Sequence, residues 1–146
     1  MGLLDRLRGR ARRVGIFVDG PNVFRSEFDV DLDDLREIAR EEGPVAVSRV
    51  YVDENASAGL IQAAEARGFE VVTTSGDVDV KLAVDAVEGV TAGQFDTLVV
   101  VSRDTDFKPV LETAAKRGLR TVAVAPGVHG RSDALRNAAN DEITLE

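Results

Sequence analysis

From Val14 onward, short aliphatic runs alternate with segments whose apolar positions recur at helical spacing. Val14-Gly-Ile-Phe-Val-Asp19 is apolar at consecutive positions, the pattern of a strand buried on both faces, and the turn Gly20-Pro-Asn22 follows it. Asp31 to Glu42 reads as an amphipathic helix, with Asp31 as its N-cap, Leu32, Leu35, Ile38 and Ala39 on one stripe and Gly43 as its stop. Strands are predicted at Pro44–Asp53, Phe69–Thr74, Asp96–Ser102 and Leu119–Ala125. Helices are predicted at Ser57–Arg67, Val78–Val90 and about Thr105–Arg117. A polar loop through Gly130, a short helix near Ser132–Ala139 and a last strand at Glu142–Leu145 complete the chain. Such alternation predicts a mainly parallel sheet with right-handed crossovers and helices on both faces, a three-layer α/β/α sandwich.

The length of 146 residues suits a single core. Two parts differ in charge. Met1 to Arg13 holds five arginines and one acid, a net of +4 that leaves −12 on the remainder of a chain whose total is −8. This basic arm, residues 1–13, is expected to be a solvated terminus, with an RNA-gripping or membrane-surface helix as the other reading. Cysteine is absent, which excludes disulfides, thiolate metal sites and a thiol nucleophile. No apolar run is long enough to span a bilayer and no secretory signal opens the chain, so a cytoplasmic protein without a membrane partner is expected. An acidic body argues against phosphate binding through Lys and Arg, but not against phosphate held through bound cations, which requires carboxylates.

The carboxylates stand where a parallel sheet would gather them. Asp19 ends the first strand, Asp77 and Asp79 open the helix after the third, and Asp104 and Asp106 follow the strand ending at Ser102. In open sheets the site lies beyond the carboxyl ends of the strands. Acids brought together there repel one another unless hard cations such as Mg²⁺ or Mn²⁺ sit among them. Each helix-opening Asp has an alternative role as a cap. Asp19 fits that role less well, since it closes a wholly apolar strand and would be costly to bury unpaired. Asn22 is either a phosphate- or water-holding amide or a plain turn residue. Asp85 lies about 120° around the helix from Asp79 and ranks below it. The aliphatic helix faces suit a homodimer interface as well as core.

Three blocks together, VGIFVDGPNVF (Val14–Phe24), DVDVKLAVDAV (Asp77–Val87) and LVVVSRDTDFKPVL (Leu98–Leu111), resemble in order and spacing the NYN domain family of the PIN-like nuclease superfamily. The resemblance implies a PIN-like fold and metal-dependent endoribonuclease activity on single-stranded or structured RNA, with phosphodiester hydrolysis by water activated on Mg²⁺ or Mn²⁺. It places the metal acids at Asp19, Asp79, Asp104 and Asp106, makes Asn22 their polar partner, and leaves Asp77 and Asp85 as further acids. Ser102 would contact phosphate or stand behind the metal ligands, and Arg103 is either a phosphate clamp or a surface residue. The chain departs from the family in having Arg103 where Gly is common. It also has Ser75-Gly76 where many bacterial relatives carry a Lys, a gap that Arg103 or Lys81 could fill.

Other chemistries fare worse. One histidine, His129, in a polar loop, gives no hydrolase triad. An aspartyl-phosphate enzyme would want a second acid two residues after Asp19, where Pro21 stands, and no Gly-rich dinucleotide fingerprint follows the first strand. The remaining alternative is a non-catalytic RNA-binding or adaptor module that keeps the fold.

Overall fold

The structure, a computed structural model, describes residues 13–24, 30–127 and 133–145. The basic arm before Arg13, His129 and most of its loop lie outside these residues. The strands are β1 (Val14–Asp19), β2 (Val45–Val52), β3 (Glu70–Thr73), β4 (Thr97–Val101), β5 (Arg120–Ala125) and β6 (Asp141–Thr144). The helices are α1 (Gly20–Val23), α2 (Leu32–Glu42), α3 (Ala58–Ala66), α4 (Val78–Thr91), α5 (Lys108–Lys116) and α6 (Asp133–Ala138). All strand pairings are parallel, in the order β3-β2-β1-β4-β5-β6.

Alternation along each strand divides the core between the two faces of the sheet. Ile16 and Val18 of β1, Val50 and Val52 of β2 and Val99 and Val101 of β4 pack with Leu35 and Ala39 of α2 and Ala64 of α3. Phe17, Tyr51, Leu98 and Val100 point the other way, onto Leu82 and Ala86 of α4 and Leu111 and Ala114 of α5. Each of the Val, Leu, Ile and Phe side chains among them contributes about 1.5–3 kcal/mol by leaving water, and each alanine less. Helix starts follow the sequence signals: the Asp31 carboxylate accepts from Asp33 N at 2.8 Å and Ser57 Oγ from Leu60 N at 3.1 Å, caps worth ~1 kcal/mol each. Phe95 fills a space left by two glycines, since a Cβ on Gly15 of β1 or Gly89 of α4 would overlap its ring. That contact explains why α4 tolerates a glycine near its end.

Two local differences from the sequence reading bear on the site. Gly20-Pro-Asn22 is a full helical turn rather than a simple turn, with Pro21 in the first turn, where its missing N–H costs nothing. A Cβ on Gly20 would collide with the Tyr51 carbonyl, so glycine lets this turn lie directly on β2. The helix expected from Thr105 begins instead as a 3₁₀ turn, Thr105–Phe107, and becomes α-helical at Lys108. Pro109 cannot donate the bond to the Thr105 carbonyl that an α-helix starting there needs.

β1, β2 and β3 progress toward one side of the sheet and β4, β5 and β6 toward the other. The crevice at the carboxyl ends of β1 and β4, where the order reverses, is the place such folds offer a ligand. Among the described residues no helix is long and apolar enough to cross a membrane.

Candidate metal centre

The acids converge at that crevice. Asp79 enters from the first turn of α4, and Asp104 and Asp106 from the 3₁₀ turn after β4. One carboxylate oxygen of each lies within 4.8 Å of the others. Oxygens that share one Mg²⁺ are at most about 4.2 Å apart, given metal–oxygen distances of about 2.1 Å, so a small side-chain rotation closes the cluster on an ion. Among the described residues none of the three forms an ion pair. Hard oxygen donors, close together and without a neutralising cation, fit Mg²⁺ or Mn²⁺.

Asp19 lies beside this triad rather than in it. It is 4% exposed and lines one cleft of about 320 Å³ with Asn22, Asp53, Asp77, Asp79 and Asp104. Burial raises its pKa to about 6, helped by the negative charges of Asp104 and Asp79 and opposed by hydrogen bonds from the Ser102 hydroxyl and the Asn22 backbone N–H. A carboxyl held in this state is stabilised as an anion by any cation entering the cleft.

The two loops that carry these acids are tied to each other. Ser102 Oγ donates to Asp19 Oδ2 at 3.1 Å and accepts from Asp104 N at 3.0 Å. Asn22 Oδ1 accepts from Arg103 N at 3.0 Å, which leaves the NH₂ of the same amide to face the cleft. Asp104 Oδ1 accepts from Asp106 N at 2.9 Å, so the capping role and the cluster coexist in one residue. Asp77 stands at the N-cap of α4 with no side-chain cap bond and lines the cleft.

Of the two roles expected for Ser102 the geometry fits one, and two further expectations change. Ser102 is 2% exposed and its hydroxyl is committed to the acids, so it orients them from behind and does not reach phosphate. Asp85 is turned away from the cluster: it accepts from the Tyr51 hydroxyl at 2.7 Å and from Lys81 Nζ at 3.0 Å, with Arg49 Nη1 at 3.8 Å. It pins α4 to β2; burial of the Tyr51 phenol, together with its hydrogen bond to the Asp85 carboxylate, holds that phenol far above its usual pKa. Lys81, paired in this way, is not the positive group of the cleft. Arg103 is half-buried, and its backbone N–H is the one that Asn22 accepts.

Sequence reasoning missed Asp53. It follows β2, two residues after Tyr51, which pairs with Asp19, so it lies on the sheet face that Asp19 occupies. The signal was present, as Tyr51-Val-Asp53 ends its strand in the manner of Phe17-Val-Asp19. The Asp53 carboxylate also accepts from Asn55 N at 2.9 Å.

Comparison with known proteins agrees with this arrangement. An uncharacterized protein of Methanocaldococcus jannaschii is 42% identical over 140 residues, which cover 96% of this chain and 58% of that protein, so the chain spans little more than half the length of this relative. The crystal structure of a Vibrio parahaemolyticus protein of unknown function superposes with a TM-score of 0.80 at 21% identity, covering 94% of each chain, and so supports the fold alone. The NYN domain model matches residues 13–146, from the residue before β1 through the last strand. With that match over nearly its whole length and its acids gathered at the strand-order reversal, the chain belongs to the NYN domain family and has its PIN-like nuclease fold.

Proposed function

We propose that the chain is a divalent-metal-dependent endoribonuclease that hydrolyses RNA phosphodiesters at the cleft between β1 and β4. The convergence of the Asp79, Asp104 and Asp106 oxygens, with no ion pair to any of them among the described residues, carries this reading. Asp79, Asp104 and Asp106 would hold a divalent cation such as Mg²⁺ or Mn²⁺, which would supply acidified water for in-line attack and positive charge for the phosphate oxygens. Asp19 completes the negative wall of the cleft, and Ser102 and the Asn22–Arg103 bond fix the angle at which the two loops present their acids. The Asn22 NH₂ donates to a phosphate oxygen and the Arg103 side chain adds positive charge at the rim. No side chain acts as a covalent nucleophile. The NYN family assignment favours RNA as substrate.

The test is incubation of the purified chain with a mixed single-stranded RNA pool in Mn²⁺, in Mg²⁺ and in chelator, at low and high salt, beside Asp19→Asn and Asp104→Asn. Cleavage that requires metal and disappears in both folded variants is expected. Intact RNA in every condition, with metal binding retained, would replace the enzyme by a non-catalytic RNA-binding module.

A further inference from the structure

Aromatic rings are few in this chain, and among the described residues all but one are buried inside it. Among the described residues Phe17, Tyr51, Phe69, Phe95 and Phe107 are 0–3% exposed. Phe24 is the exception. It sits half-exposed at the end of α1, one edge against the core. It lines a second cavity, of about 250 Å³, with Pro21, Ala56, Leu60, Asn55 and Ser57. Pro21 and Asp53 line both this cavity and the acid cleft, so the two depressions adjoin.

We propose that this cavity is a nucleobase subsite, in which one unstacked base of the substrate strand lies on the Phe24 ring while the neighbouring phosphate occupies the acid cleft. The inference rests on the ribonuclease reading. Four observations converge on it. The walls are mixed: Phe24, Ala56 and Leu60 give apolar contact for a base face, and Asn55 and Ser57 give an amide and a hydroxyl to meet its edge. The volume falls below the ~300–1,000 Å³ of pockets for drug-sized ligands and suits one base. The backbone at Phe24 is held close to the acids, because Phe24 N donates to Gly20 O at 2.9 Å and a Cβ on Gly20 would meet the Tyr51 carbonyl of β2; one helical turn separates Asp19 from Phe24. Finally, a body of net charge −12 gains little from counterion release on binding RNA, the usual source of affinity. Stacking on an aromatic face is independent of that charge and accepts any base.

The experiment uses the full chain carrying Asp104→Asn, in Mg²⁺, with short single-stranded RNAs bearing one fluorescent 2-aminopurine at successive positions. Stacking on Phe24 quenches the probe at one position. Phe24→Leu, which keeps the apolar contact with the core, is expected to abolish that quenching and weaken binding about fivefold or more, the scale of one lost base–aromatic stack. Phe24→Tyr keeps both signals. Ala56→Phe, which fills the cavity and leaves Phe24 in place, loses both, so the outcome does not depend on one variant folding. Quenching and affinity unchanged in Phe24→Leu or in Ala56→Phe, or no binding of RNA by the parent, overturns the subsite. Because this readout uses a protein that need not cleave, it is separate from the nuclease test: cleavage by the wild-type chain without a Phe24 effect removes the subsite and leaves the enzyme.

Discussion

The two edges of the sheet treat their acids in opposite ways. At the amino-terminal edge Asp96, Glu42 and Asp141 each have an arginine. Arg13 Nε lies 3.4 Å from Asp96, and Arg120 holds Glu42 at 2.9 Å and Asp141 at 3.1 Å. At the carboxyl edge Asp77, Asp79, Asp104 and Asp106 form no ion pair among the described residues, and Asp19 is buried beside them. The larger cavity, about 510 Å³ against 320 Å³, is at the paired edge, lined by Glu42, Asp96, Arg117 and Arg120. Size therefore does not identify the site. Paired charges are a finished structure, whereas unpaired ones that repel across a few ångströms are held by the fold against their own electrostatics and await a cation.

The largest effects should follow from breaking the unpaired edge. Asp79→Asn or Asp104→Asn is expected to abolish metal-dependent cleavage, a loss greater than the ~10–100-fold cost of removing a group that only orients a ligand. Either change relieves repulsion, so the metal-free variants should melt no lower than wild type. Mn²⁺ should raise the melting temperature of wild type, because a ligand that binds only the folded state stabilises it, and should do so much less in the variants. An equal Mn²⁺ shift in all three proteins would place the metal elsewhere.

Asp19 gives the next effect, and its sign is opposite to that of a salt-bridged acid. Its folded pKa, about 6, lies above the ordinary 3.8, so the folded state holds the proton more tightly than the unfolded chain. Without metal, the resulting penalty is absent below pH 3.8, grows as pH rises toward 6 and is complete above it, on the order of 2–3 kcal/mol at neutral pH. Asp19→Asn should therefore stabilise the chelated protein in denaturant titrations at pH 7 and leave it unchanged at the acid end. A variant no more stable than wild type at pH 7 would mean that the carboxylate is already neutralised from within.

How much of this was legible in the sequence follows from the same physics. Hydrophobic periodicity marks every strand and the long helices because each must bury a face, and strand-end acids are visible because an apolar strand ends abruptly at them. The α1 turn was not legible: its helical state depends on Gly20 meeting the Tyr51 carbonyl of another strand. Spacing ranks Asp85 below Asp79 but does not give it a role, as only the packed helix shows it meeting Tyr51 and Lys81. Asp53 was overlooked because its membership of the cleft depends on which strand lies beside β1, a fact of topology.

A smaller effect, and a finer one, tests the ties between the loops. Ser102→Ala removes one donor to Asp19 and one acceptor for Asp104 N without touching the cleft surface. Positioning groups of this kind typically contribute ~10–100-fold. The expected loss is in kcat and in metal affinity, with little change in KM for RNA, and Ser102→Thr should restore part of it if the extra methyl is accommodated. A rise in KM alone would return Ser102 to the role of a phosphate contact.

The smallest effect should come from the paired edge. Arg120 clamps Glu42 with two bonds, 2.9 and 3.3 Å, and reaches Asp141 at 3.1 Å. These pairs are solvent-exposed on the arginine side, with 44% of its side chain accessible, so screening limits them to ~0.2–1 kcal/mol. Arg120→Gln should lower stability by about that amount, toward the upper end because one guanidinium serves two acids. The deficit should shrink in high salt and leave RNA cleavage untouched. A variant that kept its stability but lost cleavage would show that the larger cavity takes part in binding, and the contrast between a finished and an unfinished edge would no longer hold.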